Sequence, residues 1–199
     1  MKVIAGRLKG RTILTPSGRG TRPTQGHVRQ VLFDVLGGSI EDCRVLDLFA
    51  GSGAIGIEAL SRGASEVCFV ERSRSALRCL RENVKSLELE DRSRIVAAPV
   101  AVGLRILEEL DGSFGWIFAD PPYDSKPDEW IRRAARDGSD GLLSEDGTLV
   151  LESSCRKTVA EEIGSLRRYR VHRVGETCLG FYMWDGRSDE AQGDIPGDL

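Results

Sequence analysis

The sequence predicts an α/β fold on a mostly parallel sheet, and three observations predict it. From residue 44 onward, short apolar runs alternate with helix-period segments, the pattern of strands joined by crossover helices. The run Val45 to Phe49 enters the small turn Ala50-Gly51-Ser52-Gly53 and then a helical pattern through Ile55, Ile57, Ala59 and Leu60. The last apolar segments, Arg168 to Val174 and Cys178 to Trp184, are parted only by Gly175-Glu176-Thr177. Three residues leave no room for a crossover, so this pair predicts a closing antiparallel hairpin.

Taken in order, residues 2–15 alternate weakly between apolar and polar, with glycines at 6 and 10, and predict two short strands or a hairpin. A loop over residues 16–20 leads to a helix capped by Thr24. Val28, Val31, Leu32, Val35 and Leu36 line one face of it, and Gly37-Gly38 stops it. Strands follow at 44–49, 66–71, 95–98, 116–119 and 148–152. Helices are expected between them over 73–87, with Ser73 as cap, about 100–110 and 127–136, with Trp130 and Ile131 inward. One more helix is expected near 156–164. With the final hairpin the sheet has seven strands. Residues 185–199 hold five acids, one Arg and almost nothing apolar, which predicts a disordered acidic tail. The expected division is a basic extension at 1–22, the main domain at 23–185 and the tail at 186–199.

Hydrophobic residues make up 40% of the 199 and charged residues 30%, the balance of a soluble protein with a real core. No run approaches the roughly 20 apolar residues of a membrane span, and the start is charged too soon for a signal peptide. Cys43, Cys68, Cys79, Cys155 and Cys178 are scattered, odd in number and form no Cys-x-x-Cys pair. They read as reduced thiols in a cytoplasmic protein with no metal site. The net charge of −3 hides an asymmetry, since residues 1–33 carry seven cations and no acid. A basic arm on an otherwise acidic chain points to a polyanion bound at one end.

Gly51-Ser52-Gly53-Ala54-Ile55-Gly56 is a literal G-x-G-x-x-G, and Glu71 ends the next strand 20 residues after Gly51. That pattern fits a dinucleotide, with the acid on a ribose. Asp47 argues for a different ligand, because it sits inside the strand four residues before the first glycine. A buried carboxylate needs donors or a cation, and S-adenosylmethionine offers an ammonium group. Asp120-Pro121-Pro122-Tyr123 is the more specific motif. Its prolines have no N–H, so the carbonyls stay open as acceptors. A carboxylate beside such a carbonyl can receive both hydrogens of one amino group, and Tyr123 can stack on a base. In a doubly wound sheet the strands carrying the two motifs lie side by side, where ligands bind at the carboxyl ends.

The chain resembles the bacterial methyltransferases that modify guanine N2 in 16S ribosomal RNA. The resemblance rests on Ile4-Ala5-Gly6-Arg7 with Lys9-Gly10-Arg11, and on Arg22-Pro23-Thr24 with Val28-Arg29 and Leu32-Phe33. It continues through Val45 to Gly53, Glu58 to Ala64, Val70-Glu71 and Asp120 to Tyr123. It implies a Rossmann-like S-adenosylmethionine-dependent methyltransferase fold. By position it implies cofactor contacts at Asp47, Phe49, Ala50, Gly51, Ser52, Gly53, Glu71 and Arg72. The guanine amine falls to Asp120, Pro121, Pro122 and Tyr123, and RNA to Arg7, Lys9, Arg11, Arg22 and Arg29. The implied partner is small-subunit rRNA, free or within a 30S particle, and the expected state is a monomer. A DNA adenine-N6 methyltransferase, an NAD-dependent oxidoreductase and a non-catalytic RNA-binding factor are the alternatives.

Overall fold

The structure is a computed structural model and describes residues 1–16, 23–109, 113–122, 127–135, 141–157 and 160–185. Tyr123, Arg19, Arg22 and the acidic tail at 186–199 lie outside the described residues.

Helix α1 (Pro23–Leu36) precedes the alternating unit. That unit runs β1 (Arg44–Leu48), α2 (Ala54–Ser61), β2 (Glu66–Glu71), α3 (Arg74–Ser86), β3 (Ser93–Ala97) and α4 (Val100–Glu108). It continues with β4 (Phe114–Ala119), α5 (Pro127–Ala134) and β5 (Leu143–Ser154). The chain closes with β6 (Glu162–Ile163), β7 (Leu166–Val174) and β8 (Thr177–Trp184). The strands form one sheet in the order β3-β2-β1-β4-β5-β8-β7-β6. β1 to β5 are parallel, while β8 joins β5 antiparallel and β7 pairs with β8 as the predicted hairpin.

Strand parity divides the core. Val45, Val67, Phe69, Phe118 and Val150 face α1, α2 and α3, with Leu32, Phe33, Ile57, Leu60 and Leu80 packed against them. Leu46, Leu48, Cys68, Val70 and Ile117 face α4 and α5, against Leu104, Leu107, Trp130 and Ile131. Both faces are covered, which is why these strands read as nearly continuous apolar runs.

Four expectations need correction. The helix near 156–164 is absent among the described residues, where the chain turns and then makes β6, an eighth strand of two residues. Helix α1 starts at Pro23, so Thr24 lies within it and does not cap it, while the basic segment keeps the expected hairpin pairing through an antiparallel bridge between Lys2 and Thr12. Ser73 starts α3 by position but its side chain makes no cap bond, its hydroxyl pairing with that of Ser75. Cys155 and Cys178 are joined as a disulfide, with Cα atoms 5.0 Å apart. The antiparallel pairing of β5 with β8 sets Cys178 opposite Ser153 and brings Cys155 alongside, an adjacency that 23 residues of sequence separation conceal. Cysteine usage therefore no longer supports the cytoplasmic expectation. No helix among the described residues is long and apolar enough to cross a membrane.

Candidate active site

The site lies at the carboxyl ends of β1, β2, β4 and β5. β1 carries Asp47, whose side chain is buried in the face shared with Phe118. Its Oδ2 accepts the N–H of Gly56 at 3.1 Å, bracing the first turn of α2. Burial pushes its pKa up to about 7, partly offset by the Gly56 hydrogen bond, with Asp120 and Glu71 pushing the same way as burial. A buried carboxylate facing two others fits a cation and repels an anion.

At the end of β1 the backbone turns sharply. Phe49 has φ of 78°, an uncommon conformation for a residue with a bulky side chain. Its ring meets Trp130 edge-on, with centroids 5.5 Å apart. The N–H groups of Phe49 and Ala50 both donate to the Val70 carbonyl, tying the turn to β2.

The glycines of the motif do different things. Gly51 has φ of +57°, and a Cβ there would meet nothing nearer than the Phe49 carbonyl at 4.0 Å, so its outer side is open. Gly53 also has positive φ, but a Cβ there would lie 2.5 Å from Leu80. At Gly56 it would lie 2.3 Å from the Phe69 ring. Gly53 and Gly56 let α2 pack against α3 and β2; Gly51 is the one that leaves room for a ligand.

Glu71 organises the loop's other flank. Its Oε2 accepts the Gly51 N–H at 2.7 Å, and its Oε1 accepts the N–H groups of Arg72 and Ser73 at 2.7 and 2.6 Å. One carboxylate thus holds the glycine loop and the start of α3 together. Ser52 is buried, and its carbonyl accepts from the side chain of Asn83 at 2.9 Å.

Asp120 and Pro122 are exposed and Pro121 is half-buried, directly beyond β4. The register pairs Asp47 with Phe118, so Asp120 follows on the same face of the sheet, next to the glycine turn. β5 runs alongside with Ala119 opposite Leu151, which brings Glu152 beside Asp120. Burial and the Asp120 charge push the pKa of Glu152 up to about 8. The crevice between the glycine loop and Asp120 is therefore lined by four carboxylates, of Asp47, Glu71, Asp120 and Glu152. Among the described residues no group of three or more His, Cys, Asp or Glu has the arrangement of a metal site.

The basic arm packs on α2 and α3. Arg7, Lys9 and Arg11 are exposed, as a polyanion contact requires. Arg29 is not available for one, being only 4% exposed. Its guanidinium donates to the Lys2 carbonyl and the Met1 sulfur, and its Nε lies 3.6 Å from the buried Glu58 carboxylate. An ion pair inside the core, not a surface contact, accounts for that cation. No motif in the sequence marks Asn83 or Glu152, and Glu58 enters the family resemblance only as part of the Glu58 to Ala64 segment. A polar residue on an apolar stripe is the missed signal at Asn83, which follows Ala76, Leu77 and Leu80 on the buried face of α3.

Known proteins are similar to this chain in sequence and fold along most of its length. A family model described as conserved hypothetical protein 95 matches residues 1–183. The chain is 34% identical over 186 residues to YlbH of Bacillus subtilis, which carries a provisional rRNA-methyltransferase name; the match covers 94% of this chain and all of that one. It is 29% identical over 198 residues to the ribosomal RNA small subunit methyltransferase D of Escherichia coli, covering the whole of this chain and 94% of that protein. The solved structure of the Escherichia coli protein yhhF, provisionally described as a methyltransferase, superposes with a TM-score of 0.79 at 28% identity. That match covers 94% of this chain and 99% of the other.

Proposed function

The chain belongs to the conserved hypothetical protein 95 family, and from that premise we propose that it is a small-subunit rRNA methyltransferase acting on the exocyclic N2 amine of a guanine. The observation that carries the reading is the pairing of β1 with β4, which sets a cation-seeking glycine turn beside Asp120-Pro121-Pro122, whose carboxylate is exposed. Full-length similarity to the Escherichia coli small-subunit rRNA methyltransferase supports the substrate class.

The residues present fit S-adenosylmethionine. Asp47 is a buried carboxylate with a raised pKa and too much negative charge around it, which an ammonium or sulfonium relieves. Gly51 is open on its outer face, and Glu71 stands beside it as an acceptor for ribose hydroxyls. Phe49, Ala50, Ser52, Gly53 and Arg72 complete the binding loop. The cofactor supplies an electrophilic methyl group on a sulfonium sulfur.

The protein's part in the reaction is positioning and electrostatics. The Asp120 carboxylate and a neighbouring proline carbonyl accept the two hydrogens of the guanine amine, which leaves its lone pair directed at the methyl donor. Pro121 and Pro122 fix that backbone and offer no competing N–H. As the N–C bond forms, the nitrogen becomes acidic and gives one proton to Asp120, which faces solvent and passes it to water. Tyr123 is assigned to stacking on the base. Arg7, Lys9 and Arg11 hold the RNA backbone, with Arg22 assigned to the same role from the sequence.

Methylation with radiolabelled donor on 30S particles, naked 16S rRNA and duplex DNA tests this. Label in guanine N2 of the particle or the rRNA is expected. Label in DNA adenine alone would replace the reading with an adenine-N6 methyltransferase. No label, with calorimetric binding of NAD in place of S-adenosylmethionine, would replace it with an oxidoreductase.

A further inference from the structure

The basic arm has two faces. Its backbone is turned inward and bonded to the two helices that flank the glycine loop. On α2, the N–H groups of Ile4 and Ala5 donate to the two oxygens of Glu58 at 2.8 and 2.9 Å. Leu8 N–H donates to Ser61 Oγ at 2.9 Å, and Arg7 N–H to the Ser61 carbonyl at 2.7 Å. On α3, Leu14 N–H donates to Asn83 Oδ1 at 2.7 Å, and Asn83 Nδ2 donates back to the Leu14 carbonyl at 2.9 Å. The same Nδ2 donates to the Ser52 carbonyl, also at 2.9 Å. Arg7, Lys9 and Arg11 are exposed, with Arg11 Nη2 donating to the Ser86 carbonyl at the end of α3 at 2.9 Å.

Asn83 is fully buried, and its one amide joins both backbone groups of Leu14 to the middle of the glycine loop. Only an amide can do this, since it accepts on one side and donates twice on the other. The arm can also loosen locally at this end. Ile13 is anchored in the core, but the Leu14 side chain is 48% exposed, so releasing Leu14 gives up its bonds to Asn83 and leaves the core closed.

We propose that Asn83 is a positioning residue that couples the basic arm to the glycine loop. RNA held by Arg7, Lys9 and Arg11 favours the docked arm, the docked arm fixes Asn83, and Asn83 fixes the Ser52 carbonyl in the loop that binds the methyl donor. The coupling is reciprocal, so donor binding tightens the arm's hold on RNA by the same factor. This rests on the reading above, in which the loop takes S-adenosylmethionine and the arm takes rRNA.

Calorimetric titration of S-adenosylhomocysteine, with and without a 16S rRNA fragment, measures the coupling directly. In the wild-type chain RNA is expected to tighten the Kd by about fivefold or more. Asn83→Asp keeps an acceptor for Leu14 N–H but loses both donations, and its ratio is expected to fall close to one while each ligand alone still binds. The KM for S-adenosylmethionine at saturating RNA should then rise more than kcat falls. Arg156→Ala, at an exposed ion pair with Glu176, should leave the ratio unchanged. If Asn83→Asp does not fold, Leu14→Pro removes one N–H at an exposed residue and should lower the ratio. A ratio of one in the wild type, or an unchanged ratio in a folded variant, overturns the coupling alone. Failure of the wild type to bind either ligand overturns the functional reading and the coupling with it.

Discussion

The glycine loop after β1 and the Asp120-Pro121-Pro122 segment after β4 end neighbouring strands, yet they are built in opposite ways. The glycine loop is braced from inside by Glu71, Asn83, the Val70 carbonyl and the close packing of Gly53 and Gly56. The Asp120 segment turns its carboxylate and second proline outward. Its backbone is stiffened by proline rings. A small ligand of fixed shape suits the first arrangement, because the binding groups need no ordering when it arrives. A base presented on a large RNA suits the second.

The largest effect should come from breaking the outward side alone. Asp120→Ala is expected to lower the methyl-transfer rate by at least about 100-fold, as removal of an oriented electrostatic group does. The Kd for S-adenosylhomocysteine should stay within about twofold. A comparable loss of donor affinity, measured by calorimetry, would show that the two loops are not separable.

Breaking the inward side should act first on stability. Gly56→Ala puts a methyl group into the Phe69 ring and should cost about 1–3 kcal/mol, as overpacking does, read as a lower denaturation midpoint. Gly51→Ala meets no such neighbour. Its effect should appear mainly as weaker donor binding, with a smaller shift of the midpoint from the strained φ.

Titration sharpens the contrast further. Asp47 has its pKa raised from 3.8 to about 7, so the folded, unliganded protein holds a proton there that the unfolded chain has lost. Its contribution to stability therefore declines as pH rises from about 4 to about 7. Glu152, raised to about 8, acts in the same direction and slightly further. A cationic donor wants Asp47 ionised. Donor affinity should thus rise between pH 6 and 8, by up to about tenfold per unit below the pKa, and Asp47→Asn should flatten that profile.

The smallest effect belongs to single cations of the arm. Lys9→Ala should reduce the salt dependence of RNA binding by about one contact. Donor affinity without RNA should not change.

The order of strands and helices was legible because burial on both faces writes apolar runs, and crossover helices write the 3.6-residue period between them. The two motifs were legible because glycine and proline are backbone devices with few other uses at strand ends. The expected helix near 156–164 failed because β6 turns back onto β7, and β7 is held in turn by β8, a pairing that local periodicity does not register. Arg29 was misassigned because charge counts do not reveal burial; its partner Glu58 lies 29 residues away on another helix. Asn83 was passed over because a single polar residue on an apolar stripe looks like noise until its three backbone partners are brought to it.

The arm's attachment also sets a timetable for the newborn chain. Leu14 leaves the ribosome long before its partner Asn83, which is 69 residues further on. At about 5–20 residues per second, that gap lasts roughly 3 to 14 s. Throughout it the core that Val3, Leu8 and Ile13 enter is incomplete, since Leu87, Trp116, Val150 and Phe181 of the same cluster lie further along the chain. The Leu14 end of the arm is therefore secured late, so slower translation between residues 14 and 83 should leave more of the product open to proteases and holdase chaperones.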